Sequence, residues 1–334
     1  MLVAVQLTGD MRYSELETVS GKKISRIGLG TWQFGSREWG YGTEYEARSH
    51  GIVRRALALG ITLFDTAEIY GFGRSETLLG AALGDDRASA YIASKVFPLL
   101  PVSAVVQQRA VGSAARLGVK TIDLYQVHQA NPVIRDGTTM AGMRRLQATG
   151  LVGDVGVSNY SLARWKAAEK ALGSPVVSNQ VSYSVVNRGP ESDLVPYARA
   201  ADRLVMAYSP LSQGWVSGRY TATNPPPGGV RAMNPLFLPV NLERGAGLLA
   251  ALREVADAHD ATSSQIALAY LLHDPAVVAI PGASGEEQVE RNAAAADIIL
   301  ADDEYAALLR AARGFVPLTG RSSVVPLVRR RLHR

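Results

Sequence analysis

Eight short apolar runs, each followed by a segment of helical character, constrain this chain more than any other feature. The runs are Ser25–Gly30, Thr62–Asp65, Tyr91–Lys95, Ile122–His128, Val155–Ser158, Val176–Val181, Leu204–Tyr208 and Val277–Ile280. Helical segments follow at Tyr45–Leu59, Ser75–Leu83, Ala104–Leu117, Thr139–Thr149, Ser161–Leu172, Leu194–Ala200, Gly247–His259 and Glu286–Ala295. Helix signals agree with these bounds: Ser161 opens one segment and Gly173 stops it. Strands linked through helices pair in parallel, and the helices cover the sheet. Eight such units with no composition break predict an α/β fold, a closed (β/α)8 TIM barrel at about residues 24–297 of one domain spanning 1–334.

Three pieces fall outside the repeating pattern. Residues 1–24 are expected to form an N-terminal hairpin capping the bottom of the barrel, with Met1–Gln6 open to being an extension instead. Asp302–Arg313 reads as an extra C-terminal helix, acidic at its start and basic at its end. Leu211–Leu242, which contains Asn224-Pro-Pro-Pro-Gly-Gly, is long for a connection and is expected to close over a ligand.

Composition narrows the classes. Hydrophobic residues make up 47% of the 334, enough for a substantial core, and the absence of Cys excludes disulfides and thiolate metal sites. The five His show neither HxH nor HExxH spacing, so no metal site is expected. The formal charge of +5 comes partly from Arg329, Arg330, Arg331 and Arg334, a short tail without interleaved aromatics. It reads as a solvated end rather than a nucleic-acid site. The first residues lack a basic segment followed by a long apolar stretch, and no apolar run approaches the roughly 18 residues of a membrane span. A soluble, cytoplasmic protein is expected, favoured as a monomer, with no membrane or nucleic-acid partner.

The chemistry sits at strand ends. Asp65, Lys95 and His128 each directly follow an apolar run, and Tyr70 comes five residues after Asp65. Singly, Asp65 is an ordinary turn cap, Tyr70 a packed aromatic and Lys95 a solvated strand end. Jointly they abut buried strands, where polar groups need partners. Parallel strand ends of a barrel meet at one mouth, so the four can converge. Together the four form a proton-transfer device. Tyr70 is the candidate donor; Lys95 is expected to lower its pKa from near 10, Asp65 to fix Lys95, and His128 to donate a hydrogen bond to the substrate oxygen.

Eight motifs appear in order: LGTWQFG (29–35), FDTAEIYGFGRSE (64–76), ASKV (93–96), VHQ (127–129), GVSNY (156–160), SNQVSYS (178–184), AYSPLSQG (207–214) and IPGASGEEQVERNAA (280–294). Together they resemble the aldo-keto reductase family. The resemblance implies NADPH-dependent reduction of aldehydes and ketones, with Asp65, Tyr70, Lys95 and His128 as the catalytic tetrad.

No GxGxxG follows the first strand, so Rossmann-type holding of a dinucleotide is not expected. The resemblance assigns NADP(H) to other residues. Tyr208 stacks on nicotinamide, Ser158, Asn159 and Gln180 hold its carboxamide, and Ser209, Leu211 and Gln213 line the phosphates. Gly30, Thr31 and Trp32 complete that side. Gly282, Ser284, Gln288, Arg291 and Asn292 serve the adenosine 2′-phosphate and adenine. The chain departs from relatives that place Lys or Arg at Gly282 or Gly285 and Arg at Gln288, which loosens discrimination against NAD. Trp32, Trp39, Tyr41, Phe97, Gln129, Asn131 and Trp215 are substrate-side candidates, an apolar lining suited to small carbonyls.

Two other readings stay open at this level. One is a regulatory or redox-sensing barrel that holds NADPH and turns over slowly, as potassium-channel β subunits of the family do. The other is a barrel lyase or isomerase acting on a phosphorylated metabolite, without dinucleotide affinity.

Overall fold

All eight apolar runs become strands of one parallel sheet, ordered β1 to β8. The strands are β1 (Leu29–Gly30), β2 (Leu63–Asp65), β3 (Tyr91–Val96), β4 (Ile122–Val127), β5 (Val152–Ser158), β6 (Val176–Ser182), β7 (Leu204–Tyr208) and β8 (Val277–Ala279). The computed structural model describes residues 11–35, 42–226, 230–320 and 322–323. Parallel bridges from Ile27 to Ala279 and from Gly30 to Gly282 join the first strand to the eighth and curl the sheet into a (β/α)8 barrel. Gly30 is required at this seam, because a Cβ there would lie 2.8 Å from the Ile280 carbonyl oxygen.

Two apolar layers hold the barrel. The larger lies between sheet and helices. The smaller fills the barrel interior with Leu63, Tyr91, Leu124, Leu204, Met206 and Val278, and Leu16 and Ile24 close it from below. These last two belong to the expected hairpin. Tyr13 bridges Ser25 antiparallel, and the Ser14 N–H donates to the Ile24 carbonyl at 2.7 Å. Lys22 pairs with Asp123 at 2.9 Å and ties the hairpin to the barrel floor. The extension considered at Met1–Gln6 lies outside the described residues.

Most helices match the sequence reading to within a few residues, but the seventh unit differs. Ser263–Leu272 is the helix that packs on β8, whereas Ala246–Ala258 lies beside it and against the C-terminal helix Asp302–Gly314. Periodicity hides Ser263–Leu272 because every residue from Ile266 to Leu272 is buried. A helix apolar all round has no amphipathic stripe to read. Its start is nevertheless marked, since Thr262 and Gln265 form a capping box.

The long segment after β7 folds into short helical turns at Ser212–Ser217, Pro235–Phe237 and Pro239–Arg244. Trp215, Tyr220 and Phe237 are buried, with Tyr220 edge-on to Phe237 at 5.4 Å. The segment is therefore anchored in the core along much of its length. Among the described residues no helix is long and apolar enough to cross a membrane.

Candidate active site

β2 ends at Asp65, Lys95 is the penultimate residue of β3, and β4 runs directly into His128. Past β2 the chain follows β3. The Thr66 N–H donates to the Ala93 carbonyl at 2.9 Å and the Glu68 N–H to that of Lys95 at 3.4 Å. This path delivers Tyr70 to Lys95, which is fully buried. Its Nζ donates to Asp65 Oδ2 at 2.7 Å, to the Thr66 carbonyl at 2.8 Å and to Tyr70 Oη at 3.3 Å. All three ammonium donors are thus committed. The other oxygen of Asp65 accepts from Gln180 Nε2 at 2.7 Å.

Burial works against the Lys95 charge, but Asp65 and Tyr70 outweigh it and hold the ammonium above its ordinary pKa. Burial also pushes the Tyr70 phenol above its usual 10.0; Lys95 pulls it back only in part, and Asp65 adds to the rise. This corrects the expected depression of that pKa. Lys95 does favour the phenolate, but burial outweighs it. The Tyr70 hydroxyl consequently keeps its proton at neutral pH.

Burial, followed by the Lys95 charge, drives the His128 pKa down from 6.5 to about 3, so the ring is neutral. It meets Tyr70 edge-on at 5.7 Å between centroids and Phe97 at 6.3 Å. Among the described residues His128 Nδ1 is buried with no hydrogen-bond partner. A buried N–H without an acceptor is more costly than a bare lone pair, so the Nε2–H tautomer is favoured.

Strained backbone gathers at the ends of β5 and β7. Asn159, Ser209, Ser212 and Gln213 all have left-handed φ, between 48° and 59°. Such conformations cost non-glycine residues about 1–3 kcal/mol each and concentrate at functional sites. Hydrogen bonds fix the strand ends: Tyr208 Oη donates to Asn159 Oδ1 at 3.1 Å, Asn159 Nδ2 to Ser158 Oγ at 3.0 Å, and Ser158 Oγ to the Gln180 carbonyl at 2.9 Å. Leu211 is half-buried beside them. Gln213 is tied to the long segment through Asn234 Nδ2 at 3.0 Å.

At the β8 end the Ser284 N–H and hydroxyl both donate to Gln288 Oε1, at 2.9 and 3.0 Å. Asn292 Nδ2 reaches the Gly282 carbonyl at 3.5 Å. Arg291 is ion-paired with Glu287 on its own helix. A basic group that the sequence reading misses stands here instead, since Arg48 Nη1 lies 3.4 Å from the Ser284 carbonyl oxygen.

Of the residues expected at the cofactor and substrate, Thr31 is buried at the end of β1 and Trp32 is half-buried beyond it. Gln129 is exposed next to His128, and Asn131 donates to the Pro98 carbonyl at 2.7 Å. Trp215 does not line the mouth. It is 1% exposed and stacks on Phe315 at 4.9 Å, so this bulky residue of the long segment serves core packing instead. Trp39 and Tyr41 lie outside the described residues. Sequence alone gives no reason to include Glu68, but its Oε1 accepts from the Phe97 N–H at 2.6 Å and from Arg109 Nη1 at 3.0 Å. Only the fold reveals that link, because Glu68 lies in the turn after β2 and Arg109 on the helix Ser103–Leu117 that follows β3.

Residues 26–313 match the aldo/keto reductase family. This chain belongs to that family. Among its relatives, an uncharacterized oxidoreductase of Mycobacterium tuberculosis is 54% identical, over 97% of this chain and all of that protein. Methylglyoxal reductase YeaE of Escherichia coli is 32% identical, over 86% of this chain and 91% of its own length. A Klebsiella pneumoniae aldo/keto reductase solved with NADP and acetate superposes with a TM-score of 0.73 at 29% identity, covering 88% of this chain and 94% of that one.

Proposed function

We propose that this aldo-keto reductase reduces a small aldehyde or ketone to the alcohol with NADPH, Tyr70 giving the proton. The observation that carries the reading is Lys95 Nζ within hydrogen-bond distance of both Asp65 and Tyr70. When bound, NADPH supplies the hydride. The chain's own residues do the rest. Tyr208 offers its ring to the nicotinamide, Ser158 and Asn159 offer polar groups to the carboxamide, and Ser209, Leu211 and Gln213 line the pyrophosphate. Gly30, Thr31 and Trp32 bound the same side, and Gly282, Ser284, Gln288 and Asn292 take the adenosine end. His128 Nε2–H holds the carbonyl oxygen. As charge develops there, the Tyr70 hydroxyl passes its proton to that oxygen and Lys95 stabilises the phenolate left behind.

Support for the cofactor comes from the strained, hydrogen-bonded ends of β5 and β7 and from relatives solved with NADP or NADPH. Fluorescence titration with NADPH and NADH tests it, together with NADPH oxidation over aliphatic, aromatic and dicarbonyl substrates. NADPH binding with turnover of some carbonyls is expected. Binding without any turnover would favour a regulatory barrel, and no binding would remove the reductase reading.

A further inference from the structure

Tyr70 stands at the head of a turn that does little to hold itself. Gly71, Phe72 and Gly73 follow it with left-handed φ of 55°, 53° and 89°. Three such residues in a row cannot continue a right-handed helix, so the turn needs support from outside. Two carboxylates supply it. Glu68 precedes Tyr70 and is half-buried, and Glu76 follows it and is fully buried. Glu68 Oε1 accepts from the Phe97 N–H at 2.6 Å, and Glu76 Oε1 accepts from the Ser94 hydroxyl. Ser94 and Phe97 lie on either side of Lys95 along the chain. The two acids that flank Tyr70 are therefore bonded on both flanks of Lys95.

Each acid is clamped by an arginine from one helix, Ser103–Leu117. Arg109 Nη1 donates to Glu68 Oε1 at 3.0 Å and to the Phe97 carbonyl at 2.8 Å. Arg116 Nε donates to Glu76 Oε2 at 2.6 Å. The two arginines stand about two helical turns apart, so they reach from the same face. Arg116 also lays its stem on the turn itself, since a Cβ on Gly73 would lie 2.6 Å from its Cδ. On the other side Gly71 closes against the Gly35 carbonyl oxygen, where a side chain would collide. A carboxylate buried as fully as Glu76 is costly without its cation, so this bond is exacting.

We propose that Arg109 and Arg116 are positioning residues for the proton transfer, a two-point brace that sets the Tyr70 hydroxyl against Lys95 Nζ. Acting through Glu68 and Glu76, they lock the Tyr70 turn and the third strand into one frame. The 3.3 Å spacing between Tyr70 Oη and Lys95 Nζ is then fixed from the helix behind them. The inference rests on the reductase reading and deepens it, by giving two residues outside the tetrad a part in the chemistry.

The test is the single-turnover rate of NADPH oxidation at saturating propanal, benzaldehyde and methylglyoxal. The variants are Arg109→Ala, Arg116→Ala and Arg116→Lys, each made also in Tyr70→Phe, with residual rates followed over hours. NADPH titration shows that each variant is folded, and Arg109→Ala and Arg116→Lys carry the test if Arg116→Ala is not. Misplacing the hydroxyl by about 1 Å is expected to lower the rate of each alanine variant by roughly ten- to a hundredfold, while the NADPH dissociation constant changes little. Arg116→Lys, which keeps the charge and most of the stem, restores most of the loss. In Tyr70→Phe the same substitutions leave the residual rate nearly unchanged, because no phenolic proton remains to be placed. A wild-type rate in either alanine variant overturns the two-point brace while leaving the reductase reading standing. Equal losses with and without the Tyr70 hydroxyl mean general structural support and overturn it too. A wild type that binds NADPH but turns over no carbonyl ends the reductase reading, and the brace with it.

Discussion

Gln180 Nε2 donates to Asp65 Oδ1 at 2.7 Å, on the opposite side of the carboxylate from Lys95. Asp65 is thus gripped from β3 and from β6, across the barrel mouth. The resemblance to known reductases assigns Gln180 to the cofactor, whereas its amide N–H here orients the acid that holds Lys95. Gln180→Ala should lower stability by about 1–3 kcal/mol, as expected for a buried charge-assisted hydrogen bond, and reduce kcat. Urea denaturation and steady-state assays on the same preparation check both effects.

Lys95 and Asp65 form a buried pair at 2.7 Å. Removing one partner strands the other charge away from water, so Lys95→Met should destabilise by about 3–5 kcal/mol. The double variant Asp65→Asn/Lys95→Met should lose less than the sum of the two single variants. Urea denaturation of all four proteins checks this, and strict additivity would mean the pair does not act as a unit.

His128 links stability to acid. Unfolded, it takes up a proton near 6.5, but folded only at about 3, because burial and Lys95 oppose the charge. Between those values the unfolded chain binds the extra proton, so stability falls as pH drops through that window and the penalty vanishes above it. His128→Asn should flatten this part of the curve. Unfolding free energies measured from pH 4 to pH 8 for both proteins are the check.

Arg48 is the basic side chain at the Ser284 loop, whereas Arg291 is turned to Glu287. If the adenosine 2′-phosphate lies at that loop, Arg48→Ala should weaken NADPH by roughly three- to tenfold, the range of an exposed ion pair up to a charge-assisted one, and spare NADH. Fluorescence titration with both dinucleotides measures the ratio directly.

The candidate catalytic groups are legible in the sequence because a charged or polar residue abutting a buried strand needs a partner at the strand's end. Asp65, Lys95 and His128 are one pattern repeated on three strands. The barrel is legible for a similar reason, since alternation survives errors of a few residues at each boundary. Ser263–Leu272 escapes notice because burial on every side erases its period, while Ala246–Ala258 shows a clear stripe and draws the assignment to itself. Trp215 is misplaced because an aromatic in a long connection looks the same whether it faces a ligand or Phe315. The Glu68–Arg109 grip joins residues 41 positions apart, which no local pattern encodes.

Tyr70 as proton donor is the centre of the account, and Tyr70→Phe tests it most directly. The variant keeps the ring and loses only the hydroxyl that lies 3.3 Å from Lys95 Nζ. With NADPH and a carbonyl the wild type turns over, kcat should fall by at least about a hundredfold, the lower range for a general acid, while the NADPH dissociation constant changes little. Wild-type turnover in the variant would contradict the assignment.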